Sequence, residues 1–215
     1  MQSHKLNEQA GMLRAIFSDR HNHDMLYSKP FAEGFTISFR TLQLASDTGF
    51  LHEWVNDPGA KTFWQMDGPV ELLETTYAEI LVSEFTHSFI GFLNNMPVCQ
   101  VDVYHVLQDE LNNHVTASEN DYGIHFMMAP VQKKIPNLSV CCMQTCLSFL
   151  FSCKDVDRIF GEPDSRNIKA NELVTKAGFK LLRPIQLSCK TANLYCCTKE
   201  NFAKQKLYGL SHSSF

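Results

Sequence analysis

Ten residues, Gly161-Glu162-Pro163-Asp164-Ser165-Arg166-Asn167-Ile168-Lys169-Ala170, do most to limit what this chain can fold into. The apolar run of Val156, Ile159 and Phe160 ahead of them reads as a strand, and Pro163 ends ladder pairing because its nitrogen has no proton to give. Asp164 or Ser165 is placed to cap a first helical turn. Glu172, Leu173 and Lys176 follow at helical spacing until Gly178 supplies the stop. A strand that hands an acid and an amide to the start of a helix builds a site; the plainer reading of the same pattern is a capped helix after a strand.

The rest of the chain has material for one domain around that segment. With 215 residues, 44% of them hydrophobic and 16 of them Phe, a sizeable core is affordable, and no linker rich in Gly, Pro or Ser divides it. Nineteen basic against 23 acidic residues give a net charge of −4, which argues against a partner read through many phosphates. Met1 to Glu8 lacks the apolar core of a signal peptide, and no run of about eighteen apolar residues occurs. The expectation is a soluble, cytoplasmic protein without nucleic-acid or membrane partners. In that setting the eight cysteines are reduced thiols, and because no Cys-x-x-Cys occurs they read as small core hydrophobes rather than metal ligands.

Hydrophobic periodicity gives an alternating order of strands and helices. Residues 34–44 alternate as a strand does, and Ser46 or Asp47 caps a short helix through Trp54. From Glu71 to Phe85, Leu73, Tyr77, Ile80 and Leu81 share one helical face. A hairpin follows, with arms at 88–93 and 97–106 joined by Asn94-Asn95. Gln100, Asp102 and Tyr104 line the polar face of its second arm, which is either a pocket wall or a half-exposed strand. Residues 107–120 read as a loop. The strand from Tyr122 to Ala129 points Gly123, His125 and Met127 one way, and an apolar helix covers Pro136 to Phe151. Strands at 179–187 and 190–197 complete the sheet.

At this point the chain resembles the GNAT superfamily of CoA-dependent acyltransferases, and within it the acyltransferases of hydroxamate-siderophore pathways. The likeness is carried by Trp54-Val55-Asn56-Asp57-Pro58 with Phe63-Trp64-Gln65-Met66, by Asp121-Tyr122-Gly123-Ile124-His125, by Arg158 to Asn167, and by Lys190-Thr191-Ala192-Asn193-Leu194. It implies a domain at 34–205, preceded by a helical or irregular leader at 1–33 and followed by a tail at 206–215. It implies an α/β fold with a mixed, mostly antiparallel central sheet flanked by helices. The two central strands, near 121–129 and 156–163, would splay so that the pantetheine arm of acyl-CoA slips between them.

The resemblance makes His125 and Asp164 the catalytic pair. The attacking nitrogen must lose a proton while the thiolate gains one; His125 is the natural base, and Asp164 orients it or the substrate. For the co-substrate, acetyl-CoA or succinyl-CoA, the implied contacts are Met127, Lys133, Lys134, Asn137, Ser139 and Asn167, although residues 130–139 lack the usual glycine-rich turn. A backbone amide from 126–128 serves the oxyanion. Val174 stands where many relatives place a tyrosine acid. The acceptor would be an N-hydroxylated diamine or N6-hydroxylysine, its distant ammonium held by Asp102 with Tyr104 against a wall of Trp64 or Trp54. Lys190 is available to a carboxylate or phosphate. No metal is expected; a homodimer and functional links to a siderophore synthetase and an amine monooxygenase are. Two rivals stay open: an ordinary N-acetyltransferase of unhydroxylated amines or protein lysines, and a non-catalytic acyl-CoA-binding or scaffold subunit.

Overall fold

The computed structural model describes residues 13–18, 24–130 and 135–208. Among these, eight strands form one sheet in the order β1-β2-β3-β4-β5-β6-β8-β7, with every neighbouring pair antiparallel except β5 and β6. The strands are β1 (Tyr27–Pro30), β2 (Thr36–Thr41), β3 (Thr86–Leu93), β4 (Met96–His105), β5 (Asp121–Met128), β6 (Arg158–Gly161), β7 (Lys180–Gln186) and β8 (Thr191–Thr198). The helices are α1 (Leu13–Ser18), α2 (Leu44–Val55), α3 (Pro58–Trp64), α4 (Val70–Val82), α5 (Leu138–Ser152), α6 (Ile168–Ala177) and α7 (Lys199–Ala203). None is long and apolar enough to cross a membrane.

Strand alternation divides the core between the two faces of the sheet. On β3, Phe89 and Leu93 pack on the face covered by α5 and α6, while Ile90 and Phe92 pack on the face covered by α2 and α4. Helix α5 is buried almost all round, as its unbroken apolar sequence requires, and takes Cys141, Cys142 and Cys146 into the core. All eight cysteines are free thiols, and Cys189 alone among them is exposed, in the turn before β8.

Several local expectations are corrected. Helix α2 begins at Leu44, ahead of both proposed caps, and the Asp47 carboxylate instead reaches back to the Gln43 N–H at 2.8 Å and clasps the Arg40 guanidinium. Helix α6 is capped by Asn167, whose side chain accepts from Ala170 N–H at 3.1 Å, and not by Asp164 or Ser165. Gly178 does end it, in the left-handed region at φ 114°. Residues 27–30, assigned to a leader, pair with β2 as β1, and Leu13 and Phe17 are buried in the core. The loop after β4 contains two short 3-10 turns, Val106–Gln108 and Glu110–Asn113.

One feature of the sheet positions the site. Strands β5 and β6 pair only through Asp121–Arg158, Tyr122–Ile159 and Gly123–Phe160, although β5 runs on to Met128. Beyond Gly123 the two strands part, as the resemblance implied. Ala129 N–H donates to Val98 O on β4, which fixes the alternation of the ladder. Counting back in twos, Met127 and His125 turn their main-chain groups to β4, whereas Phe126 and Met128 turn theirs to the opening.

Candidate active site

A cavity of about 350 Å³ passes through the sheet at that opening. Met143 of α5 with Ala170, Leu173 and Val174 of α6 line it on one face; Trp64, Asp109, Leu187 and Lys190 line it on the other. His125 stands where the two parts meet. Its side chain lines the cavity and is 45% exposed.

The carboxylate that holds His125 is Glu162, at 2.8 Å from Nε2 to Oε1. Glu162 follows the last residue of β6 and is 5% exposed. Its other oxygen accepts from the Tyr104 hydroxyl at 2.8 Å, and Lys190 Nζ lies 3.7 Å from Oε1. Tyr104 reaches Glu162 because Gly123 sits directly opposite it on β5: a Cβ there would come within 2.0 Å of the Tyr104 ring. The glycine two residues before the histidine is therefore a packing requirement of the site.

Charge sets the protonation of this group. Burial alone would lower the His125 pKa, but the Glu162 charge and hydrogen bond, and then Asp102, outweigh it and leave it raised above its ordinary value. Burial would raise Glu162, and His125, Lys190 and Tyr104 together leave it lowered. Both shifts favour an imidazolium–carboxylate pair. Burial, the Glu162 and Asp109 charges and the hydrogen bond to Glu162 push the Tyr104 phenol well up, so it remains a donor. Nδ1 of His125 makes no hydrogen bond among the described residues, and with Nε2–H given to Glu162 it is the nitrogen left to exchange protons with a substrate.

Asp164 lines the same cavity but has a different partner. Its carboxylate accepts from the Arg166 guanidinium at 2.7 and 3.0 Å and from the Arg166 N–H at 2.8 Å, which holds its pKa down at about 2. Both expected residues thus face one cavity, but the imidazole is oriented by Glu162, which sequence reasoning passed over, and not by Asp164.

The remaining expected residues divide. Asp102 and Trp64 line the main cavity, with the Trp64 ring edge-on to His125 at 6.4 Å between centroids. Tyr104 is committed to Glu162 and lies beneath the cavity wall, so it does not join Asp102 in facing a ligand. Trp54 is buried against Phe50 and, like Met127, borders a smaller adjoining cavity of about 260 Å³. Asn167 lines both. Asn137 and Ser139 stand at the start of α5, outside both cavities; Asn137 adopts the left-handed conformation, φ 63°, that a glycine would otherwise supply, and its side chain makes no capping bond. Lys133 and Lys134 lie outside the described residues. Lys190 takes a carboxylate, that of Glu162, as one of its two anticipated partners.

Residues 43–187 match the family described as acetyltransferase (GNAT) domain. The chain belongs to the GNAT family. As a GNAT enzyme it is an acyl-CoA N-acyltransferase. Among its relatives, an N-hydroxyputrescine acetyltransferase of Acinetobacter baumannii is 25% identical over 171 residues, covering 79% of this chain and 81% of that protein. An N(6)-hydroxylysine O-acetyltransferase of Escherichia coli is 21% identical over 167 residues, 77% of this chain but 53% of that protein, so the GNAT chain spans about half that relative's length. Among solved structures, an aminoglycoside acetyltransferase AAC(6')-Ib in complex with coenzyme A superposes with a TM-score of 0.71 at 20% identity, over 78% of this chain and 98% of that one. That likeness bears on the fold.

Proposed function

We propose that this enzyme transfers an acyl group from acyl-CoA to the hydroxylamine nitrogen of an N-hydroxylated amine, as in the making of hydroxamate siderophores. The observation that carries the reading is the His125–Glu162 pair at 2.8 Å beside a cavity that crosses the sheet where β5 and β6 part. Two relatives whose names specify hydroxylated amines support the acceptor class, and both are named as acetyltransferases, which favours acetyl-CoA over succinyl-CoA.

The residues fit such a pair of substrates. The main-chain groups of Phe126 and Met128 line the gap where a pantetheine arm and a developing oxyanion need hydrogen-bond partners. In this reading the α5 start, with Asn137 and Ser139, and the Asn167 side chain would meet the CoA, since a helix N-terminus favours phosphate.

The chemistry follows from the protonation of His125. The acceptor nitrogen attacks the thioester carbonyl carbon, and the carbon–sulfur bond breaks as the amide-type bond forms. Neutral His125 takes the nitrogen's proton on Nδ1 while Nε2–H stays on Glu162, giving the ion pair that both pKa shifts favour. The imidazolium then gives that proton to the departing thiolate. This accounts for a site with Val174 in its wall in place of a tyrosine acid. A hydroxylamine, largely unprotonated at neutral pH, arrives ready to attack. With His125 oriented by Glu162, the role left to Asp164 is on the acceptor side.

The test is to supply the purified protein with acetyl-CoA and either N-hydroxycadaverine or cadaverine, following thiol release and product mass. Acetylation of the hydroxylamine well ahead of the amine is the expected result. Equal or better use of cadaverine would return the enzyme to ordinary amine acetylation, and thermal stabilisation by acetyl-CoA without product would mark a binding subunit.

A further inference from the structure

The cavity holds more negative charge than its own cations neutralise. Of its acidic residues, Glu162 is met by His125 and Lys190, Asp164 by Arg166, and Glu110 receives the Ser188 N–H and hydroxyl at 2.7 and 2.8 Å. Asp102 and Asp109 have no ion-pair partner among the described residues. Asp109 stands exposed at the cavity rim and spends one oxygen on the Leu111 N–H.

Asp102 is built differently. It is 5% exposed, lies directly across the ladder from His125, and receives both the Ser88 hydroxyl and the Gln100 amide on a single oxygen, Oδ1. Oδ2 takes no hydrogen bond. Sealed side-chain atoms without a partner include the neighbouring Gln100 Oε1 but not Asp102 Oδ2, so this oxygen is wetted by the cavity that Asp102 lines. A carboxylate locked by two donors on one side, with its second oxygen turned to a cavity and its nearest cation, His125, bonded to Glu162 instead, is a prepared receptor for a cation. Burial raises the Asp102 pKa against the pull of the Ser88 hydroxyl, the His125 charge and the Gln100 amide, and an arriving cation would draw it back down.

The same cavity is poorly equipped for a second anion. Its cationic side chains, Lys190 and His125, are both engaged by Glu162. An acceptor carrying its own carboxylate would meet Asp102 and Asp109 with no cation spare.

Resting on the proposed hydroxylamine acylation, we propose that Asp102 is the specificity-determining residue of this enzyme. Its Oδ2 binds the distal ammonium of an N-hydroxylated diamine, and the site discriminates against hydroxylamines that lack the ammonium or add a carboxylate.

Three acceptors of matched length test this: N-hydroxy-1,5-diaminopentane, N-hydroxypentylamine and N6-hydroxylysine, each with saturating acetyl-CoA. The wild-type enzyme is expected to prefer the diamine over each of the others by about 10- to 100-fold in kcat/KM, the worth of one charge-assisted hydrogen bond. Asp102→Asn should bring the ratio of diamine to monoamine close to one, while Asp109→Asn should keep it. Equal wild-type use of the diamine and the monoamine would overturn this assignment and leave hydroxylamine acylation standing, as would a preference that survives in Asp102→Asn or disappears only in Asp109→Asn. Acylation of no hydroxylamine would overturn the parent reading and this one together. Equal wild-type use overturns the assignment even if Asp102→Asn fails to fold, and loss of the preference in Asp109→Asn does so as well.

Discussion

The two strands that open the site carry two charge pairs, one at each end of their junction. At the closed end Asp121 accepts the Arg158 guanidinium at 2.8 and 2.5 Å and the Ser118 N–H at 2.6 Å. At the open end His125 meets Glu162 at 2.8 Å. In each pair β5 and the β6 segment supply one partner, and the carboxylate is buried. What separates them is the cation. Arginine does not titrate near neutrality, so the lower pair is a fixed clasp, whereas imidazole titrates there and keeps Nδ1 for other work. One junction thus gives a hinge of constant charge and, a few residues on, a pair that can pass a proton.

That contrast can be broken from the open end first. His125→Ala should cost about 10²- to 10⁴-fold in kcat/KM, the usual yield of a positioned acid–base group, with acetyl-CoA binding retained in a thermal-shift assay. An unchanged turnover number would remove His125 from the chemistry. At the closed end, Arg158→Met strands a buried carboxylate and should cost about 3 kcal/mol of stability, the low end for such a break because Arg158 is 36% exposed. In a chain of this size that is about 6–12 °C in melting temperature. The comparison fails if this variant melts like the wild type, or if it is inactive at temperatures where it is fully folded.

Much of this was legible in the sequence because it depends on local pattern. Period-two alternation placed His125 and Gly123 on one face of a strand, Asn94-Asn95 marked the hairpin turn, and Gly178 marked a helix end. The short elements were not read, although Asp57-Pro58 is a start signal in its own right: Asp57 accepts from Gly59 N–H at 2.8 Å and Pro58 opens α3. Strand β1 has only four residues and half-exposed alternation, too little to stand out from a loop.

The site itself was half visible. Counting in twos from Phe160 puts Glu162 and Asp164 alike on the His125 side, so alternation cannot choose between them. Tertiary structure makes the choice: the Asp164 carboxylate is captured by Arg166, while Glu162 is held by Tyr104 from a strand 58 residues earlier. Gly123 gave a signal that went unused. A glycine inside a strand marks a close approach, here that of the Tyr104 ring which fixes the partner of His125.

The central claim is that Glu162 orients His125 and raises its affinity for the proton it must pass. The most direct measurement is the pH dependence of kcat/KM for wild type and Glu162→Gln with an N-hydroxydiamine acceptor. Because neutral imidazole starts the reaction, activity should rise with pH through the His125 pKa, along a limb centred above 6.5 in the wild type. In Glu162→Gln the limb should move to lower pH, with a reduced plateau. Superimposable profiles with equal plateaus would contradict the account.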